Sequence, residues 1–120
     1  MAYFKDYNSG RNLLSIDGGY IKDYTTGRYM YKIVGDKLAD YNSGRYLYVA
    51  DGDYVKDYVS GRRLLTITTS QVKDYNSGRI IASYDNTYIK DYVSGRYMYR
   101  IDGFLSRREM VMLLTLIFTI

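Results

Sequence analysis

The sequence predicts an all-β fold: about twelve short antiparallel strands in a closed or strongly curled meander barrel, around or against one C-terminal α-helix. Three observations carry this reading. A 17-residue unit recurs six times without insertion or deletion, framed by Gly10, Gly27, Gly44, Gly61, Gly78 and Gly95. Within each unit apolar and polar residues alternate with a period of two, and turn residues interrupt the pattern twice. After Gly103 the alternation stops, and from Met110 to Ile120 only Thr115 and Thr119 interrupt an apolar run. The chain is thus one repeat domain over residues 1–120, with six hairpins in 3–103 and a helix in 106–120.

The unit reads Y-I-K-D-Y-x-S-G-R-x-L-x-x-I-D-G-x. Its frame aligns Asp6, Asp23, Asp40, Asp57, Asp74 and Asp91, each followed by a tyrosine: Tyr7, Tyr24, Tyr41, Tyr58, Tyr75 and Tyr92. Behind each glycine stands Arg11, Arg28, Arg45, Arg62, Arg79 or Arg96. A weaker period of two units overlies this, with Asn8, Asn42 and Asn76 alternating with Thr25, Val59 and Val93. Asn-Ser-Gly suits a three-residue loop closed by a left-handed glycine, and Asp-Gly suits a two-residue type I′ turn. Six strand residues, three loop residues, six strand residues and two turn residues fill one unit of 17. Each unit is therefore a hairpin joined to the next by a tight turn. Proline is absent from the chain, as a continuous ladder that needs its N–H groups requires.

Alternation assigns the faces. Phe4, Ile21, Leu38, Val55, Val72 and Ile89 form one core row, and Leu14, Tyr31, Tyr48, Leu65, Ala82 and Tyr99 a second. A third is Ile16, Ile33, Ala50, Ile67, Tyr84 and Ile101. The opposite face takes Lys5, Lys22, Lys56, Lys73 and Lys90 with the repeated tyrosines and arginines. Strict alternation also sends the aliphatic row Leu13, Met30, Leu47, Leu64, Ile81 and Met98 outward, where it fits poorly.

The tail begins with Ser106-Arg107-Arg108-Glu109, the S-x-x-E box whose serine and glutamate satisfy the free N–H groups of a helix start. A helix with no polar stripe must be enclosed, and a wall of eight strands leaves room only for side chains, so about twelve could house it. Its C-terminal end would then approach the six aspartates, against the helix dipole. The competing arrangements are an open curled sheet with the helix in its groove and a two-sheet β-solenoid. The solenoid would stack like charges in columns.

Composition narrows the chemistry. The chain contains no Cys, His, Trp or Pro but 17 Tyr. This excludes a disulfide framework, a cysteine nucleophile and any histidine relay or imidazole metal ligand. No lysine is singled out as a substitute base, and no glycine-rich phosphate loop or calcium-loop spacing is present. A non-enzymatic protein without metal or cofactor is the expectation. The repeated aspartates and loop glycines read as structural, each carboxylate bonding within its own loop or to the arginine of its unit. Net charge is +4, enough for weak attraction to an anionic partner without requiring one. The opening MAYFKDY lacks the apolar core of a signal peptide, and the tail is too short to span a bilayer. A cytoplasmic location is the default expectation.

The tandem hairpins resemble the choline-binding and glucan-binding repeats and the MORN repeats, and the apolar C-terminal helix against a β-wall resembles the tubby and LURP-one architecture. The resemblance is architectural, spans residues 3–103 for the repeats, and brings no functional residue with it. The cell-wall-binding repeats depend on Trp, and this chain has none. The expected function is a structural or interaction module. Its Tyr/Lys/Arg face, with the repeated tyrosines and arginines as candidate contacts, would meet a glycan polymer or a protein. An anionic ligand such as nucleic acid or phospholipid is the second reading. A pure scaffold or assembly protein, natural or engineered, is the third.

Overall fold

The computed structural model describes residues 1–119. Ile120, the last residue of the expected helix, lies outside the described residues. Twelve strands run as β1 (Ala2–Asp6), β2 (Asn12–Asp17), β3 (Tyr20–Asp23), β4 (Tyr29–Val34), β5 (Lys37–Asp40) and β6 (Tyr46–Asp51), then β7 (Tyr54–Asp57), β8 (Arg63–Ile67), β9 (Gln71–Asp74), β10 (Ile80–Tyr84), β11 (Tyr88–Asp91) and β12 (Tyr97–Asp102). Helix α1 spans Arg107–Thr119. Every strand pairs antiparallel with its chain neighbours, and β1 pairs with β12 through Tyr3–Asp102 to Asp6–Tyr99, so the sheet closes into a barrel. An open sheet and a solenoid are both ruled out by that seam. All six D-Y-x-S/T-G-R loops lie at one rim, and the short turns lie at the other.

The wall encloses the helix. Met112, Leu113, Leu114, Thr115 and Leu116 are buried at consecutive positions, and at about 100° per residue five of them cover every direction around the axis. Twelve strands spaced about 4.8 Å apart make a barrel radius of about 9 Å before tilt widens it, close to the roughly 10 Å of face-to-face packing. The molecule measures 37 × 33 × 20 Å, and a 13-residue helix is about 20 Å long. The lumen is therefore filled rather than hollow. All three core rows point into it: Ile16, Ile21, Leu38, Val55, Ile67, Val72 and Ile89 are buried, and Tyr31, Tyr48 and Tyr99 pack against them half-buried. Thr115 is tolerated because its hydroxyl donates to the Val111 carbonyl at 2.8 Å.

The helix enters from the turn rim. Its capping box forms as the sequence implies: the Ser106 N–H donates to Glu109 Oε1 (2.9 Å) and the Glu109 N–H to Ser106 Oγ (3.2 Å). Arg107 is more than an exposed end residue. Its guanidinium donates to the carbonyls of Thr68 (3.0 Å) and Ile67 (3.3 Å) and to the Tyr84 hydroxyl, which in turn donates to Thr68. These bonds latch the helix start onto the β8–β9 turn.

Two local features differ from the expected 17-residue scheme. The loop has four residues, not three: the Asp6 N–H donates to the Arg11 carbonyl (3.0 Å) and the Gly10 N–H to the Asp6 carbonyl (2.9 Å), leaving Tyr7–Gly10 outside the ladder. Each hairpin then carries a one-residue bulge. Phe4 faces Leu14 while Lys5 faces Asn12, so Leu13 is the extra residue; Met30, Leu47, Leu64, Ile81 and Met98 are its equivalents. The longer loop and the bulge cancel, which is why simple alternation still places the core rows. The bulge also accounts for four of the six residues in the poorly fitting aliphatic row, since Leu13, Leu64, Ile81 and Met98 pack against the core.

At the other rim the turns are displaced by one residue from the Asp-Gly positions. Asp17 pairs with Tyr20 across Gly18-Gly19, both with positive φ, a type I′ turn. Gly35-Asp36 and Gly52-Asp53 have positive φ at glycine only, which is type II′.

Gly61 shows what the loop glycine is for. Its φ is +73° while a Cβ there would meet nothing within 4 Å, so backbone conformation alone excludes a side chain. Gly61→Val is expected to cost at least about 1–2 kcal/mol. Ser60→Ala, which loses a bond to the Arg62 N–H (3.2 Å), should cost less. Chemical denaturation of both variants decides, and a neutral Gly61→Val would contradict the left-handed loop.

Candidate interaction surface

Each rim loop is built around its aspartate. Asp40 Oδ2 accepts the Ser43 N–H (2.8 Å) and the Ser43 hydroxyl (2.9 Å), and Ser43 Oγ accepts the Arg45 N–H (3.2 Å). The backbone bond recurs at Asp6, Asp23, Asp57, Asp74 and Asp91. The six aspartates do not converge on one another; each is committed to its own loop. The in-loop bond, not an ion pair with arginine, is the alternative the structure takes. The loops are also tied to one another, because each bulge carbonyl accepts from the next unit's tyrosine: Tyr24 N–H to Leu13, and across the closing seam Tyr7 N–H to Met98 (3.0 Å).

Bonding to the loop N–H, then to the serine or threonine hydroxyl, holds all six carboxyls below their ordinary value of 3.8. A carboxyl whose folded pKa lies below its unfolded one stabilises fully above the unfolded value and loses that contribution as pH falls through the folded one. Stability should therefore hold from neutral pH down to about 3.8 and then drop as six equivalent loops protonate. Melting temperature against pH measures this, with Asp40→Asn giving a shallower acid limb. An acid limb as steep in a variant lacking several of these aspartates would disprove the assignment.

The repeated tyrosines stand on the outer wall just below this rim, 40–49% exposed, and the repeated arginines are exposed at the rim itself. The structure brings five of the six tyrosines against outward residues of the preceding unit, and Tyr7, Tyr41 and Tyr75 against two each. Tyr41 stacks on Tyr29 (centroids 5.0 Å, 23°) and meets Tyr20 edge-on (6.1 Å). Tyr7 stacks on Tyr97 (5.1 Å, 26°) and meets Tyr88 (6.0 Å), which repeats the cluster across the seam. The other units vary this theme. Tyr58 meets Tyr46 at 5.2 Å, Tyr24 meets Tyr3 at 5.8 Å, and Tyr75 meets Tyr54 at 5.6 Å with the Arg63 guanidinium 4.2 Å over the Tyr54 ring. Tyr92, whose partners by position are Gln71 and Ile80, has no such cluster. Cations cover several rings: Lys22 over Tyr29 (5.0 Å), Lys32 over Tyr20 (5.5 Å) and Lys90 over Tyr97 (5.0 Å).

The outward strand positions between the rims carry Lys5, Lys22, Lys56, Lys73 and Lys90 in one row, with Lys32, Lys37, Arg63 and Arg100 beside it, and no carboxylate. Asp102 and Asp51, at the turn rim, reach Lys5 (3.2 Å) and Lys56 (3.0 Å). The lysine row lapses once, at Ala39, which is buried. There the wall opens into a groove of about 440 Å³ lined by Tyr20, Lys32, Val34, Ala39, Asp40, Tyr41, Gly44 and Tyr46. Sequence reasoning found the tyrosines but not this opening; Ala39 at a lysine position was its only signal.

Grooves of about 380–410 Å³ also lie between adjacent rim loops, for example between Asp23, Arg28 and Asp40. Behind that one Tyr31 points inward, its phenol pKa raised by burial first and then by Asp40 and Tyr48. The rim carries one carboxylate and one guanidinium per unit, so its charges balance in number. The uncompensated positive charge belongs to the wall. No protein-family model, no curated protein and no solved structure matches this chain.

Proposed function

We propose that the chain is a non-enzymatic interaction module whose outer wall binds a polymeric partner, a glycan first and a protein segment second. The observation that supports this reading most is the wall groove at Ala39. Its volume of about 440 Å³ lies within the roughly 300–1,000 Å³ of ligand sites. It offers exposed phenol rings at Tyr41 and Tyr46, an ammonium at Lys32 and a carboxylate at Asp40. Phenol rings for the apolar face of a sugar, beside groups that accept and donate to hydroxyls, suit a polyhydroxylated polymer. The neighbouring wall clusters would extend contact along it and add avidity.

The test uses a variant that restores the repeat. Ala39→Lys should fill the groove and weaken retention by a neutral polysaccharide about tenfold or more, without lowering the melting temperature. Unchanged retention by the variant, or no retention of the parent chain on neutral polysaccharides, would reject the reading. The cation row without carboxylates favours a second one, an anionic ligand. Its mark would be binding to single-stranded nucleic acid or anionic vesicles that falls steeply with salt, against neutral glycan binding that does not.

A further inference from the structure

We infer that Tyr7–Tyr97 and Tyr29–Tyr41 are sites of oxidative cross-linking to dityrosine, and that the bond at Tyr7–Tyr97 closes the barrel covalently. Among the tyrosine pairs of the wall these two alone are near-parallel, at 26° and 23° with centroids 5.1 and 5.0 Å apart. With ring planes in contact at about 3.5–4 Å, these centroid distances correspond to a lateral offset of about 3–3.7 Å, so the rings overlap at their edges rather than face on face. Each phenol ring offers two carbons ortho to its hydroxyl at which such a stacked pair can couple. All four residues are 41–44% exposed, so an oxidant reaches them. Both pairs are held in place by the backbone, through the Tyr7 N–H on Met98 and the Tyr41 N–H on Met30 (both 3.0 Å).

The composition directs oxidation to these rings. With no Cys and no Trp in the chain, a phenoxyl radical has no readily oxidised thiol or indole to drain into. The oxidant is a haem peroxidase using hydrogen peroxide. Each phenol gives up one hydrogen atom, the two radicals join ortho carbon to ortho carbon, and the two displaced ring hydrogens move to oxygen, restoring both phenols. One peroxide takes the two hydrogen atoms and becomes two waters. Tyr7 and Tyr97 sit in the first and last hairpins, whose seam β1–β12 is the only one between units without a peptide link across it. Coupling there turns nearly the whole hairpin array into one covalent ring, which restricts the unfolded chain as a long-range disulfide would.

The experiment treats dilute full-length protein with peroxidase and peroxide, then reads dityrosine fluorescence, denaturing-gel mobility, and cross-linked peptides by mass. The expected result is a faster-migrating monomer whose peptides join Tyr7 to Tyr97 and Tyr29 to Tyr41 with loss of two hydrogens, and a raised denaturation midpoint. Tyr97→Phe keeps the stacked ring but cannot form the radical, so it should lose the Tyr7 cross-link and the part of the raised midpoint that comes from it, while Tyr29–Tyr41 still couples and keeps the rest. The edge-on pairs Tyr3–Tyr24 (80°) and Tyr54–Tyr75 (81°) are internal controls, and Tyr3→Phe should change nothing. Cross-links only between chains, equal yield at the edge-on pairs, or an unchanged midpoint in the Tyr7–Tyr97 product would overturn the proposal.

Discussion

Truncation after Gly103 is expected to abolish the folded barrel. Helix α1 fills the lumen with Met110, Met112, Leu113, Leu114 and Leu116, all buried. Each such side chain contributes roughly 1.5–3 kcal/mol when fully buried, against a total stability of only about 5–15 kcal/mol for a domain. Water cannot replace them, because the facing rows of Phe4, Ile21, Leu38, Val55, Val72 and Ile89 are apolar and equally buried. The product should be insoluble or molten, with exposed apolar surface. A point change makes the same case inside a full-length chain. Leu114→Asp should cost more than about 4 kcal/mol, since it buries an unpaired charge as well as losing the contacts that Leu→Ala loses. Arg108→Asp, at an exposed position of the first turn, should change stability by no more than about 0.5 kcal/mol. Thermal unfolding and gel filtration of the three proteins decide. A soluble, monomeric fragment as stable as the parent would mean that the wall closes its own core.

The contrast with Arg107 refines that comparison. Arg107 holds the β8–β9 turn through Thr68, Ile67 and Tyr84, so its loss removes charge-assisted bonds that Arg108 does not make. Two adjacent arginines in the same capping box thus have different worth, and only the tertiary structure separates them.

Most of the fold is legible because the repeat states it six times. Period-two alternation gives the core rows, the capping box gives the helix start, and an apolar helix without a stripe demands a wall that surrounds it. What sequence patterns miss is what cancels locally. A four-residue loop plus a one-residue bulge leaves Ile21 facing Tyr31 as a three-residue loop would, so nothing in the spacing distinguishes the two, yet Leu13 changes face. Turn placement slips for a similar reason: Gly18-Gly19 and Gly35-Asp36 keep the same parity as Asp17-Gly18 would, so every side chain stays on its side. The interaction surface is less legible. Tyr7 and Tyr97 are far apart in sequence and meet only because β1 closes on β12. The Ala39 groove arises from a departure from the repeat, which no periodic argument can value.

The second large effect is expected at Gly103, the first residue after the last strand on the way to the helix. Its φ is +109°, and a Cβ built there would lie 2.7 Å from the Met1 carbonyl oxygen and 3.0 Å from Ala2 Cα. Both neighbours are backbone at the start of β1, next to Tyr3, whose partner across the seam is Asp102, so they cannot turn aside as a side chain would. Gly103→Val therefore combines the strain of a β-branched residue at positive φ, about 1–3 kcal/mol, with a clash that pushes β1 away from β12. Gly61→Val has only the strain. The prediction is that Gly103→Val lowers stability more than Gly61→Val, and that the excess appears as local opening at the seam. Hydrogen exchange separates the two: in the Gly103 variant the β1 and β12 amides should exchange faster while those of β5–β8 keep their protection. Ala2 is itself buried against the core, so the displaced strand would also uncover apolar surface. Equal losses in the two variants, or uniform exchange throughout, would show that the closing seam does not depend on the tight approach of Gly103 to the first residues of the chain.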